Sequence, residues 1–259
     1  MNIFPLIEGS FSVDSGKRFI PFSPGTDDPK SRPGSLFIHV QPFLVETKHD
    51  LILLDAGLGQ MGIDAKPQIL SNILKNGFMP SEITKVILSH LHSDHSLGLV
   101  NDRGEGRQEL NFPEAEFFIQ KGELEEALKP QNSSYPQSVL EFFASRSKLN
   151  YVDGNLDLGN GIHLELTGGH CPFHQVVHIS EGSEKIFFGG DVLPEGMQLV
   201  RNYIAKYDFD GRKSMELRKK FGNSAAHENW TCLYYHDNNP LPYSKVNLGP
   251  EGSFLLEYK

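Results

Sequence analysis

The 259-residue sequence predicts a mixed α/β fold in which β-sheets stack on one another and helices lie outside. Two observations carry that expectation. Apolar runs of strand length outnumber helical patterns, and the first strands come in pairs before helices begin to separate them. The composition agrees, since 38% hydrophobic and 22% charged residues supply a core and a solvated surface, and the length suits one large domain over residues 1–259.

In chain order, strands are expected at Leu36 to Glu46, Leu51 to Leu54, Lys85 to Leu88, Glu116 to Ile119, Gly161 to Leu166, Gln175 to Ile179, Lys185 to Phe188 and Thr231 to Tyr235, each a continuous or alternating apolar run. Lys245 to Leu248 and Ser253 to Tyr258 read as short closing strands. Helical patterns cover Pro67 to Lys75, with Pro in the first turn where its missing N–H does no harm, then Gly122 to Leu128, Pro136 to Leu149, and Asp210 to Phe221, ended by Gly222. A shorter helix is expected from Ser93 through Val100. Three loops, Ser23 to Ser35, Asn101 to Pro113 and Pro194 to Asp208, are rich in Gly, Pro and charge, and long loops beside a site commonly shape its pocket.

The formal charge of −9 repels phosphate backbones, and no basic run exceeds Arg218-Lys219-Lys220, so nucleic acid is not an expected partner. A membrane is not expected either, because no apolar run approaches the roughly 20 residues a bilayer requires. The first residues lack a basic region and meet Pro5 and Glu8 at once, unlike a signal peptide, so a cytoplasmic location is expected. Cys171 and Cys232 are too few for a disulfide framework and are read as reduced thiols.

The chemistry-bearing segment is Ser89-His90-Leu91-His92-Ser93-Asp94-His95, which follows the apolar run Val86-Ile87-Leu88. Neutral imidazoles and ionised carboxylates are N and O ligands for divalent transition metals, and such a metal makes hydroxide from water at neutral pH. The segment therefore points to hydrolysis. His90 and His92 are two apart at a strand end and point the same way, so they can grip one ion. Asp94 and His95 begin the following helix and diverge towards a second ion. Two metals can hold a hydroxide between them and clamp both attacking and leaving oxygens. The incomplete spheres need further ligands, and three strand ends offer them: Gly168-Gly169-His170, Gly189-Gly190-Asp191 and His236-Asp237.

This spacing, together with Leu53-Leu54-Asp55-Ala56-Gly57, resembles the ligand set of the metallo-β-lactamase-fold hydrolases across most of the chain. The resemblance implies a four-layer αββα sandwich with the metals at one edge. It implies that His90, His92 and His170 hold one metal, that Asp94, His95 and His236 hold the other, that Asp191 bridges both, and that Asp55 orients a ligand. Asp191 stands where one branch of true β-lactamases has Cys, His92 stands where flavodiiron proteins have Glu, and too little chain follows His236 for the helical domain of glyoxalase II-like thioesterases. The single-domain lactonase-like group, which includes N-acyl homoserine lactonases and organophosphate hydrolases, is the nearest match. Many of those lactonases carry a Tyr three residues past the bridging Asp; here that residue is Pro194, and Tyr203 or Tyr207 in the next loop are candidates for its role.

The implied activity is hydrolysis of a lactone or related carboxylic ester, a small-molecule substrate, through a hydroxide bridging two divalent ions. Zinc is the default metal; Mn, Fe, Co and Ni suit the same donors. Asp94 or Asp191 would relay a proton to the leaving oxygen. Two alternatives stay open: phosphoester or phosphotriester hydrolysis by the same clamp, and a metal-loaded binding or sensing protein. His174 and His178 are read as structural or supporting residues, and Cys171 as a buried small side chain.

Overall fold

Alternate residues of the apolar runs are buried on opposite faces, so the strands lie inside a stack and not on its surface. A computed structural model describes residues 1–62, 66–104, 106–130 and 132–258, and among these the strands form two large sheets. The first runs β1 (Asn2–Pro5), β5 (Phe43–Glu46), β6 (Leu51–Leu54), β7 (Lys85–Ile87), β10 (Glu116–Gln120), β11 (Lys148–Val152). The second runs β12 (Leu156–Gly159), β13 (Ile162–Leu166), β14 (Gln175–Glu181), β15 (Glu184–Phe188), β16 (Thr231–Leu233), β17 (Tyr243–Leu248), β18 (Phe254–Tyr258). A smaller sheet has the order β3 (Phe19–Pro21), β2 (Gly9–Val13), β4 (Leu36–Val40), and β8 (Val100–Asp102) pairs with β9 (Gln108–Leu110).

Side-chain alternation builds the layers. Ile52, Leu54, Ile87 and Phe118 of the first sheet pack against Leu164, Val177, Phe188 and Leu233 of the second, forming the central core. The opposite face of the first sheet, with Leu51, Leu53, Val86 and Phe117, meets Ile69 and Ile73 of α1 (Gln68–Lys75) and Leu140 and Phe143 of α4 (Gln137–Arg146). The outer face of the second sheet, with Val176, Phe187 and Tyr234, meets Leu199 of α5 (Met197–Val200) and Phe221 and Ala225 of α6 (Gly211–Glu228). The layers are thus helix, sheet, sheet, helix, as expected. The two remaining helices are α2 (Ser93–Ser96) and α3 (Lys121–Ala127). No helix among the described residues is long and apolar enough to cross a membrane.

Several expected boundaries move. The run Leu36 to Glu46 is two strands in different sheets, broken at Gln41-Pro42, where Pro42 has no N–H to give a ladder. The helix expected over Pro136 to Leu149 ends at Arg146, and Lys148 onwards pairs in parallel with β10, Glu116 opposite Lys148. Pairing with a buried neighbour outweighs helical pattern there. The helix expected from Ser93 through Val100 is α2 followed by a 3₁₀ turn, Leu97–Leu99. Thr231 to Tyr235 stops at Leu233, freeing Tyr235 and His236 for the loop beyond. The second expected loop contains the β8–β9 hairpin, and the third contains α5.

Gly222 does not end α6, which continues to Glu228 and is closed by Asn229 in the left-handed conformation. Glycine is required there by proximity, since a Cβ would sit 2.8 Å from Phe254 Cζ and 2.9 Å from Leu199 Cδ2. Gly222→Val is therefore expected to lower unfolding free energy by about 1–3 kcal/mol through overpacking, read as a drop in Tm of several degrees with secondary structure retained.

Candidate metal centre

Parallel strands deliver their C-terminal ends to one edge. β6 and β7 run together in the first sheet, and β13, β15 and β16 share a direction in the second. Each of these five strands is followed closely by one of the singled-out residues: Asp55 after β6, His90 after β7, His170 after β13, Asp191 after β15 and His236 after β16. His92 stands at the N-cap of α2, while Asp94 and His95 lie in its single turn. All seven expected ligands meet at this edge.

His90 Nε2 and His170 Nε2 each lie 3.0 Å from His92 Nδ1. Asp191 places Oδ2 3.3 Å from His170 Nε2, and Oδ1 3.2 Å from His95 Nε2 and 3.1 Å from His236 Nε2. Asp94 Oδ2 stands farther off, 3.5 Å from His236 Nε2 and 3.7 Å from His95 Nε2. Three groups among the described residues have donor atoms within 4.8 Å of one another, His90–His92–His170, Asp94–His95–His236 and Asp55–His90–His95, and in the last the Asp55 carboxylate is taken up by Ser89 and His95 Nδ1, which leaves the first two as donor groups. One oxygen of Asp191 faces each group. Asp191 follows Gly190, whose φ is +48° and where a Cβ would sit only 2.7 Å from His174 Nε2 and Ser89 Cβ, so glycine lets the turn pass close behind the histidines.

Hydrogen bonds on the far ring nitrogens fix the tautomers. Asp55, fully buried, accepts from Ser89 N at 2.6 Å, Ser89 Oγ at 2.7 Å and His95 Nδ1 at 2.7 Å. Because the Ser89 hydroxyl proton goes to Asp55, its oxygen accepts from His90 Nδ1 at 3.0 Å. His170 Nδ1 donates to Asp208 Oδ1 at 2.9 Å, and His236 Nδ1 donates to the His39 carbonyl. His90, His95, His170 and His236 therefore turn their Nε2 atoms inward, joined by His92 Nδ1, and in the neutral rings each of these Nε2 atoms offers a lone pair.

Lone pairs and carboxylate oxygens facing one another across 3 Å need a shared cation. His95 Nε2 and Asp191 Oδ1 are buried with no hydrogen-bond partner. The donor set is chemically suited to divalent metals, and Asp55 and Asp208 are the outer acceptors that such imidazoles require.

Burial, reinforced by neighbouring imidazoles, pushes His90 and His92 well below the ordinary histidine range, and Lys17 at the cavity rim adds to the effect on His92. Burial also disfavours charge on His95 and His236, yet Asp191 and Asp94 outweigh it and raise both. Burial resists ionisation of Asp191, but His236, His95 and His170 hold its carboxyl well below the usual range.

A cavity of about 500 Å³ opens from this edge. His92, Asp94, His170, Asp191 and His236 line its deep end, and Pro194, Tyr203 and Tyr207 line it too. Pro194 also accepts the His236 backbone N–H at 2.9 Å, and the Tyr207 ring lies 6.0 Å from that of His170. His174 is a supporting residue, its Nε2 accepting the Asp191 N–H at 3.1 Å. Cys171 is buried and donates to Glu123 Oε2 at 3.2 Å.

Two supporting carboxylates carry no local sequence signal. Asp208 ends the third loop. Glu123, fully buried in α3, accepts from Leu91 N at 3.1 Å, Tyr135 OH at 3.1 Å and Cys171 Sγ, tying the His90–His92 turn to the His170 turn.

A family model described as the metallo-beta-lactamase superfamily matches residues 37–236. An N-acyl homoserine lactonase of Bacillus thuringiensis is 28% identical over 167 residues, 57% of this chain, which spans only 61% of that relative's length. An N-acyl homoserine lactonase of Bacillus sp is 28% identical over 226 residues, 79% of this chain and 84% of its own. The solved structure of AidC, a dizinc quorum-quenching lactonase in complex with a product, superposes with a TM-score of 0.74 at 25% identity, covering 99% of this chain and 94% of its own.

One buried acid behind the centre is testable by pH. Glu8 accepts from Leu58 N at 2.6 Å beneath the Asp55 turn, and burial pushes its carboxyl from 4.5 up to about 8. The folded protein holds a proton that the unfolded chain has lost, so this stabilisation is full below 4.5 and lost as pH rises through 8. Glu8→Gln, always neutral, should lose less stability than the native chain between about pH 5 and about pH 9, by on the order of 3 kcal/mol in urea titrations. Parallel pH profiles would refute the assignment.

Proposed function

Because the chain belongs to the metallo-beta-lactamase superfamily, we propose that it is a hydrolase that holds two divalent metal ions, zinc by default, and cleaves a lactone or related carboxylic ester. The observation that carries this reading is the convergence of inward Nε2 and Nδ1 lone pairs with orphaned carboxylate oxygen at one sheet edge. Residues His90, His92 and His170 would hold one ion and Asp94, His95 and His236 the other, with Asp191 facing both. When bound, such ions acidify water and polarise a carbonyl oxygen.

The chain's own residues supply the rest. Val13, Phe19, Leu36 and Ile38 give the cavity an apolar wall that suits the acyl part of an ester and keeps bulk water from the reacting carbonyl. Asp94 and Asp191 both line the cavity, but Asp191 is held more tightly, at 3.1–3.3 Å from three imidazoles against 3.5–3.7 Å for Asp94. Asp94 is accordingly the better placed to pass a proton to the leaving oxygen. The lactonase relatives favour a lactone, and Pro194 leaves carbonyl-side hydroxyl assistance to the tyrosines lining the cavity, Tyr203 or Tyr207. The two large sheets share one central core, which supports reading residues 1–259 as one domain.

Replacing His92 or Asp191 by Ala should drop bound metal below two per chain and abolish turnover, measured by elemental analysis and ester hydrolysis. Asp208→Ala, which removes only the outer partner of His170, should weaken metal affinity by roughly 10–100-fold. Native metal content and activity in the ligand variants would overturn the site. Rates on an N-acyl homoserine lactone, an aryl ester and an aryl phosphotriester test the substrate class; turnover of the phosphotriester alone would overturn the ester reading.

A further inference from the structure

The cavity has a charged rim as well as a metal-binding floor. Lys17 and Arg201, both exposed, line its mouth from different elements, one in the β2–β3 hairpin turn and one just after α5. Neither ammonium nor guanidinium has a carboxylate partner among the described residues, although the chain carries 33 acidic residues against 24 basic ones. Neighbouring cations differ. Arg18 pairs with Asp14 at 2.6 Å, and Lys129 pairs with Glu126, which removes that lining carboxylate from competition.

The Lys17 backbone is fixed at a φ of +60° by its N–H to the Asp14 carbonyl at 3.0 Å, while the Asp14 carboxylate accepts from Gly16 N and Arg18 N at 2.8 and 3.1 Å. Phe19, Leu36, Ile38, Met197 and Phe209 add apolar surface to the lining of the same cavity. The remaining lining acids are at the floor, except Glu195, which adjoins a second cavity with His236 and Asp237.

We propose that Lys17 and Arg201 form an anion subsite, so that the substrate carries a carboxylate or phosphate at the far end of an apolar arm from its scissile carbonyl. This inference rests on the hydrolase reading of the same cavity and narrows its substrate class. The apolar lining favours a ligand charged only at its tip. Two partly exposed ion pairs together give about a five- to tenfold preference over a neutral tip.

The test is calorimetric binding to the metal-loaded protein of three analogues without an ester bond: the mono(4-nitroanilide) of suberic acid, the same anilide ending in a primary amide, and an anilide of equal length ending in a phosphonate that stands in for phosphate. The free acid or the phosphonate should bind about five- to tenfold tighter than the primary amide, the better of the two identifying the anion. The double variant Lys17→Gln, Arg201→Gln should bring each ratio to within about twofold of unity. Equal affinities in the native protein would overturn the proposal. So would a preference that survives the double variant, because the anion would then be engaging the metal centre. The anilides need no turnover, so failure of the hydrolase reading appears separately, as absence of ester hydrolysis.

Discussion

The Asp55 carboxylate is the interaction on which the rest of the centre depends. It lies at the end of β6 with a φ of +58°, a strained conformation for a residue with a side chain, and is fully buried. From there it grips the backbone and hydroxyl of Ser89 at the end of β7 and the imidazole of His95 in α2. A buried carboxylate left without donors would cost several kcal/mol, so the three contacts are mutually enforcing. Through Ser89 the same carboxylate decides which nitrogen of His90 is protonated. One acid thus sets two imidazoles, one in each donor group.

The second sheet answers with its own supports. Asp208 orients His170, the His39 carbonyl orients His236, and His174 accepts the backbone of Asp191. These supports come from two loops and from β4 of the small sheet, and the central core holds the two large sheets in register. Buried like charges would drive the cluster apart, but acids and imidazoles alternate around Asp191, so each disfavoured charge has an opposite neighbour. A protein that builds such a cluster accepts its desolvation cost because the donor atoms are wanted where water is scarce.

Much of this was legible in the sequence, and the reasons are local. His90 through His95 are adjacent in the chain, and His170, Asp191 and His236 each follow an apolar run, so periodicity places each at a strand end, while their meeting at one edge is what the family resemblance implies. The strands that carry them are continuous apolar runs because both faces are buried, which makes them easy to find. Asp208 and Glu123 were illegible because their partners are distant in sequence and their own surroundings, a loop and an ordinary helix, carry no pattern. The tail of α4 misled because Lys148 to Val152 becomes a strand only by pairing with β10. Gly222 reads as a stop in sequence and proves to be a point of contact between α6 and β18.

The position of β16 has a consequence for assembly. It pairs in parallel with β15, but the chain reaches it only after the third loop and all of α6. His236 sits just past its end, and Asp94 and His95, its companions, lie in the first half of the chain. Closing so long a loop is entropically slow and is rewarded only when both sheets meet. His236 is the last of the seven residues in the chain, so the second donor group is complete only once β16 has joined β15.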